Sequence, residues 1–452
     1  MSNPDTLRII TTNDFYGSFF ARATSYGTQP GARSLVNAVA RLREQAGPSL
    51  WVDAGDFAQG GPLAPASGGS YGFAAVGELG IDIATLGNHE FDWGEQHAAR
   101  WCHEGGFPVV MANYDLGLPP SALLPAGPFA VGVIGLTHPA VRQFNDTLRK
   151  PQPAPAELIP DLARDLRARG ADAVLVAIHD GVDWTTTAAG PLAVDTSRIE
   201  ALCGELAGHI DVLIGGHTLG RYIGELAGIP FVQPWAFGAE VGVIDRRPDG
   251  TWAARGVLLA ADEDWQGAGS AVNAALTSEI VGELAEPLIV KPLHSNSLAE
   301  AMARGLSKIS DADVAVVFPQ QLQTMQSPID GAFAYLPAGP VSEADVLRVV
   351  PFVTDHVCQE VFVCELTRAE LDTFLESASG TRETDVDVAL SPQTWGGPAV
   401  VAKDRGRSGV VSLAMASLYS ERPLAEQWIG RSLDWTPIGL GLREALRADV
   451  SA

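Results

Sequence analysis

Five short segments of this 452-residue chain carry residue types that hold divalent cations and move protons. They read Thr12-Asn13-Asp14-Phe15-Tyr16-Gly17, Asp53-Ala54-Gly55-Asp56, Leu86-Gly87-Asn88-His89-Glu90-Phe91-Asp92, Ala177-Ile178-His179-Asp180-Gly181 and Ile214-Gly215-Gly216-His217-Thr218. Carboxylate, amide oxygen and imidazole are the donors that hard and borderline divalent metals take, and neighbouring groups fix their orientation. A lone histidine beside a turn is more often structural. Five segments of this composition, each closing an apolar run, reverse that expectation.

The elements that must position these groups are legible as short apolar runs at residues 7–11, 50–53, 83–86, 109–112, 129–134, 173–177 and 212–214. Each gives way to Gly, Asn, Asp or His, the pattern of a strand running into a loop. Amphipathic stretches at 34–45 and 156–169 have helical spacing, and strands alternating with helices predict a layered α/β domain. In such domains functional groups gather beyond the carboxyl ends of the strands. Asn13 and Asp14 follow the first run, Asp56 the second, Asn88 and His89 the third, and His179 and His217 two later ones. The expectation is convergence on one edge of one sheet.

Near residue 262 the pattern changes. An acidic stretch at 271–288, ending near Pro292, predicts a helical linker, which divides the chain into domains at 1–262 and 295–452 joined by a linker at 263–294. The second part has helical spacing at 297–309 and 368–376, strand-like runs at 314–318 and 359–366, and a Gly-, Thr-, Ser- and Pro-rich stretch at 378–410 that predicts loops. Internal repeats and low-complexity tracts are absent from the sequence.

With these motifs in view, the chain resembles the 5′-nucleotidase branch of the calcineurin-like metallophosphoesterases. The string TLGNHEFDWG at residues 85–94 is the most specific marker. The family order of D-x-H, GD, GNHE, a strand-end His, then G-G-H-x-H or G-G-H-x-Q is followed. Residues 295–302, 339–345 leading to Val350-Pro351-Phe352, and 366–375 resemble the family's second domain. The resemblance implies an α/β fold, a four-layered metallophosphoesterase domain followed by a smaller α+β domain. It implies that Asp56 bridges two ions, that Asn88, His179 and His217 complete one ion's ligands, and that Asp14 serves the other. His89 and Asp92 match a catalytic pair, the imidazole contacting the scissile phosphate and the carboxylate orienting it. The implied reaction is in-line attack of a metal-bound hydroxide on a phosphate ester.

Two departures fall on the same ion. Tyr16 stands where the first motif ends in His, and Leu219 stands where the last offers His or Gln. That site keeps only Asp14 and the bridging Asp56, so one ion is expected, with two possible; the residues do not separate Mn, Zn, Mg, Co and Fe. Losing one of two cations raises the pKa of the attacking water, and each unit is roughly a tenfold loss of the reactive form. The second domain departs too. The family's Asn-x-Gly-Gly-x-Arg segment is replaced by Val317-Phe318-Pro319-Gln320-Gln321-Leu322, without arginine. Phe352 matches the first of two base-stacking aromatics and Trp395 stands near the second, with Pro398 where an Asp is expected.

Bulk properties narrow the partners. Hydrophobic residues make up 46% and charged residues 19%, and the net charge is −24. A polyanion is poorly suited to nucleic-acid polymers or anionic membranes, because binding those relies on Lys and Arg neutralising phosphates. The expected partner is a small phosphorylated substrate, in the first instance a nucleotide. Cys102, Cys203, Cys358 and Cys364 form no CxxC pair and read as buried or free thiols. The first residues lack a secretory pattern, and no run approaches the ~18 apolar residues of a membrane helix, so the expected location is cytoplasmic. His97 and His103 read as surface or packing groups, Asp53 as support for its strand end, and His138 as a residue able to approach the site edge. Two readings result: a divalent-metal phosphohydrolase, and a non-catalytic phosphate-ester binder on the same scaffold. Retention of His89 and Asp92 favours the enzyme; Tyr16 and Leu219 favour the binder.

Overall fold

A computed structural model describes residues 6–145, 147–187, 190–262, 264–322, 326–350, 360–380, 396–403, 409–417 and 421–451. They fall into two compact units. The first gathers the described residues of Met1–Arg22, Thr28–Thr185 and Ala193–Ser270, the second those of Ala23–Gly27, Thr186–Leu192 and Ala271–Ala452.

The first unit holds two sheets rather than the one expected from the run of strand ends. One has five strands in the order Trp252–Leu258, Glu240–Arg246, Leu7–Thr12, Ser49–Asp53, Ile83–Ala84. The other has six, in the order Tyr222–Leu226, Ile229–Gln233, Val212–Ile214, Ala173–Ile178, Phe129–Leu136, Ser121–Ala126. The central pairs are parallel. Strands buried on both faces read as unbroken apolar runs, and all six residues of Ala173–Ile178 are buried. The sheets face one another across a shared core that includes Ile9, Leu50, Val52 and Ile83 from the first and Val131, Val133, Leu175 and Ile214 from the second. On the far face of the second sheet, Ile134, Val174, Val176 and Leu213 pack with Ile159 and Leu166 of helix Pro155–Ala168 and Ile199 and Leu206 of helix Ser197–Leu206. Helix Ala32–Ala46 covers the first sheet, and its Leu42 carbonyl accepts from Arg8 Nη1 at 3.0 Å. Helix, sheet, sheet and helix make the four layers.

The register sets up the site. Thr12 lies beside Asp53 and Ile214 beside Ala177, so the segments that follow leave each sheet side by side. Zipping continues past the strands, with Asp14 N donating to Gly55 O at 2.9 Å and Tyr16 N to Asp56 O at 2.9 Å. The run at 109–112 forms no strand; Val109 makes a single bridge to Ala84. Among the elements that escaped the sequence reading are two hairpins, Tyr222–Leu226 with Ile229–Gln233 and Glu240–Arg246 with Trp252–Leu258.

The second unit has a five-stranded sheet in the order Ala399–Ala402, Val314–Val317, Val410–Ser417, Glu360–Thr367, Thr436–Gly441. Helices Arg368–Ala378 and Glu421–Ile429 cover one face, where Leu371, Phe374, Leu424 and Trp428 meet Val316, Leu413 and Met415. Helix Ser297–Ile309 packs along Leu442–Val450. The expected helical linker is helical only over Ser270–Ser278. Ile280–Leu284 and Leu288–Val290 instead pair with Gly339–Ser342 and Ala334–Leu336. Gly282 and Pro287 disfavour a continued helix, and Ile280-Val281 and Ile289-Val290 suit strands. The Ala399–Ala402 strand lies in the stretch expected to be loop. Cys102, Cys203 and Cys364 are buried and unpaired; Cys358 lies outside the described residues. Among the described residues no helix is long and apolar enough to cross a membrane.

Candidate metal centre

Backbone geometry marks the site first. Eight described non-glycine residues have left-handed φ, and six of them are Asp14, Tyr16, Asp56, His217, Leu219 and Phe237. Such conformations cost energy and persist where surrounding contacts over-determine them, characteristically at functional sites. Glu90 supplies part of that determination. Its carboxylate accepts from Gly87 N at 2.7 Å, Asp56 N at 2.9 Å and Phe57 N at 3.0 Å, stapling two loops together. Burial pushes the Glu90 carboxyl up to about 7, with the Asp56 charge adding to it and the backbone N–H groups opposing. Gly87 admits no side chain, since a Cβ there would stand 2.0 Å from Asp56 Oδ1.

Asp56, His179 and His217 bring their donor atoms within 4.8 Å of one another. His179 Nδ1 donates to the Ala54 carbonyl at 2.8 Å, which leaves Nε2 as the nitrogen turned to the cluster. That atom lies 3.0 Å from Asp56 Oδ2 and 3.9 Å from Asp14 Oδ1, fully buried and without an aligned hydrogen-bond partner. His217 Nδ1 faces Asn88 Oδ1 at 2.8 Å. An orphaned buried imidazole nitrogen among a carboxylate, an amide oxygen and a second imidazole suits a divalent cation. The anionic Asp56 suits a cation, and the proton that the carboxylates favour on His179 is the one a bound ion would displace. Burial opposes ionisation of Asp56, yet His179 and His89 outweigh it and hold the carboxyl well below its usual range. Burial likewise opposes a charged His179, but Asp56 and Asp14 push it up to about 10. His217 is held well below its ordinary value by burial and by His138 and His179.

Beside this group, His89 Nδ1 pairs with Asp92 Oδ2 at 2.9 Å, and Gln59 Nε2 donates to the same oxygen at 2.8 Å. The His89 backbone N–H donates to Asp56 Oδ1 at 2.8 Å. Burial works against a charged His89, but Asp92 and Asp56 push it up to about 9. The arrangement sets an imidazole beside the donor cluster, with Asp92 favouring its charged form.

The departing positions are occupied in a definite way. The Tyr16 hydroxyl donates to Asp56 Oδ2 at 2.9 Å, and its ring stacks on Phe237 with centroids 5.1 Å apart. Leu219 is buried. Asp14 lies outside the three-residue donor group. Both its oxygens accept from His217 N, at 3.0 and 2.8 Å, and Asn13 Nδ2 donates to it at 2.7 Å. Asp180 is engaged by Arg198 Nη1 at 2.5 Å. Asp53 braces its strand end, accepting from Thr12 Oγ1 at 2.6 Å and Gly55 N at 2.8 Å. His138 comes closer than its sequence position alone required: its ring centroid is 4.1 Å from that of His217. Phe352 and Trp395 lie outside the described residues. The structural part of Glu90, inside the GNHE string, was missed; its place three residues after Gly87 was the available signal.

Comparisons with known proteins bear on the family and the fold. Residues 7–221 match the calcineurin-like phosphoesterase family. The 5′-nucleotidase of Vibrio cholerae is 25% identical over 47% of this chain and 40% of its own length. The 2′,3′-cyclic-nucleotide 2′-phosphodiesterase/3′-nucleotidase of Salmonella typhimurium is 25% identical over 68% of this chain and 52% of its own length. The chain thus spans about half, or less, of the length of these curated relatives. Among solved structures, the 5′-nucleotidase precursor of Thermus thermophilus superposes with a TM-score of 0.71 at 20% identity, covering 98% of this chain and 96% of that one. The 5′-nucleotidase of Candida albicans gives 0.72 at 14% identity, covering 100% and 99%; both establish likeness of fold. The chain carries a calcineurin-like phosphoesterase domain, and 5′-nucleotidases stand among its relatives and its structural neighbours.

Proposed function

We propose that this protein is a divalent-metal phosphohydrolase acting on a nucleotide or similar phosphomonoester. The observation that carries the reading is the donor set of buried Asp56, Asn88 and His179 with half-buried His217, beside the His89–Asp92 pair. Asp56, Asn88, His179 and His217 hold the cation. When bound, it lowers the pKa of a water and neutralises phosphoryl oxygens. His89, whose charged form Asp92 favours, donates a hydrogen bond to the phosphate, and Asp92 with Gln59 fixes the ring's orientation. Asp14 orients His217 through its backbone N–H. The nucleotide class is taken from the names of the relatives, and the net charge of −24 favours a small substrate over a nucleic-acid polymer.

One ion per chain is the expected stoichiometry. Tyr16 donates its hydroxyl proton to Asp56 Oδ2, and Leu219 offers no ligand atom. The decisive experiment measures metal content and phosphate release from a panel of phosphomonoesters in one sample, with His89→Ala as the control. Bound metal with turnover falling ~10²- to 10⁴-fold in the variant supports the enzyme. Release indistinguishable from the variant's removes it and leaves a binding protein.

A further inference from the structure

The two loops that carry the histidines are joined by a side chain from a third strand. Gln233 ends the strand Ile229–Gln233 and is fully buried. Its Oε1 accepts from Val182 N at 3.0 Å, three residues beyond His179. Its Nε2 donates to Thr218 Oγ1 at 2.9 Å and to Gly216 O at 3.3 Å, on either side of His217. The segments also meet directly, Gly216 N donating to Asp180 O at 3.0 Å and Trp184 Nε1 to the Thr218 carbonyl. The fit is close: a Cβ on Gly181 would stand 2.3 Å from Gln233 Oε1.

We infer that Gln233 is a positioning residue for the metal centre, an amide clamp that sets the spacing between His179 and His217. The inference rests on the metal-dependent reading of the site. A primary amide suits the task because it offers an acceptor and two donors on one planar group. Glutamate keeps the acceptor and loses the donors; methionine keeps the length and loses both. Ligand histidines depend on such outer contacts for their orientation, and removing one lowers metal affinity ~10- to 100-fold.

The test titrates Mn²⁺ into the full chain by calorimetry for the wild type, Gln233→Met, Gln233→Glu and Thr218→Val. Metal-free Tm and hydrogen exchange are measured alongside. Gln233→Met should bind Mn²⁺ ~10- to 100-fold more weakly, with Gln233→Glu and Thr218→Val between it and the wild type. In the metal-free protein, exchange should quicken over 179–182 and 214–218 ahead of the rest of the first unit. Wild-type affinity in the variants together with a lowered Tm would make Gln233 an ordinary packing residue and overturn the clamp. Should Gln233→Met fail to fold, Thr218→Val decides the matter. A wild type that takes up no Mn²⁺ sinks the functional reading by itself, and the exchange data then judge the clamp separately.

Discussion

Glu90 illustrates how one side chain can hold a strained turn in place. Its two oxygens serve backbone N–H groups of two loops, one of them at Asp56, whose φ is 56°. Glutamine offers a single acceptor and sets an NH₂ against donors. Glu90→Gln should therefore lose about 1–3 kcal/mol for each N–H left unpaired, read from urea unfolding, with weaker Mn²⁺ binding besides. An unchanged midpoint would mean that the loops hold themselves. At this scale the sequence pointed to candidate donors, which the fold brings near one another, and was silent about their supports. Asp56, Asn88, His179 and His217 are recognisable from residue type and place. Gln233 sits in an apolar strand with no partner in sequence, since Val182 and Thr218 are brought to it only by the pairing of strands. The Tyr16–Asp56 bond is equally invisible, because a phenol at that position can ligate, donate or simply pack.

Among the elements, the long apolar runs and amphipathic helices were read well. Residues 156–169 became Pro155–Ala168, and 173–177 became Ala173–Ile178. The two missed hairpins have weak alternation, although the turn at Pro248-Asp249-Gly250 carries a usual signal. The other turn is Ala227-Gly228, with φ of 48° and 81°, where a type I′ turn favours Asn-Gly. A left-handed alanine costs roughly 1–2 kcal/mol, so Ala227→Asn should raise Tm by a few degrees; a fall would show that the turn is set by other contacts. In the second unit, Thr367 and Glu370 form a capping box on helix Arg368–Ala378, with Arg431 Nε donating to Glu370 Oε1 at 2.6 Å. Arg431 and the Thr367 amide hold the Glu370 carboxyl down at about 2, against an ordinary 4.5. The charge thus stabilises the fold fully above pH 4.5, and the contribution is lost as the pH falls towards 2. The Tm gap between wild type and Glu370→Gln should narrow over that window; a gap independent of pH would exclude the carboxylate as its source.

For the molecule as a whole, the α/β class was legible from alternation, whereas the number of sheets was not. A buried parallel strand has the same apolar signature in either sheet, so strand ends counted along the chain gave no sign that they belong to two. The centre therefore stands where the carboxyl ends of both sheets meet, with Asp14, Asp56 and Asn88 leaving one sheet and His179 and His217 the other. On the proposed reading, this split assembly would make the cation a ligand of the native state alone. An unfolded chain scatters the donors from residue 56 to residue 217, so an ion held by them shifts the folding equilibrium by mass action. At a free concentration 100 times Kd it adds about 2.7 kcal/mol. Saturating Mn²⁺ should raise Tm and a chelator should reverse the rise, while His217→Ala in the full chain should weaken both effects. Metal capture then becomes a late event in the life of the polypeptide, waiting on the histidine that the second sheet contributes last.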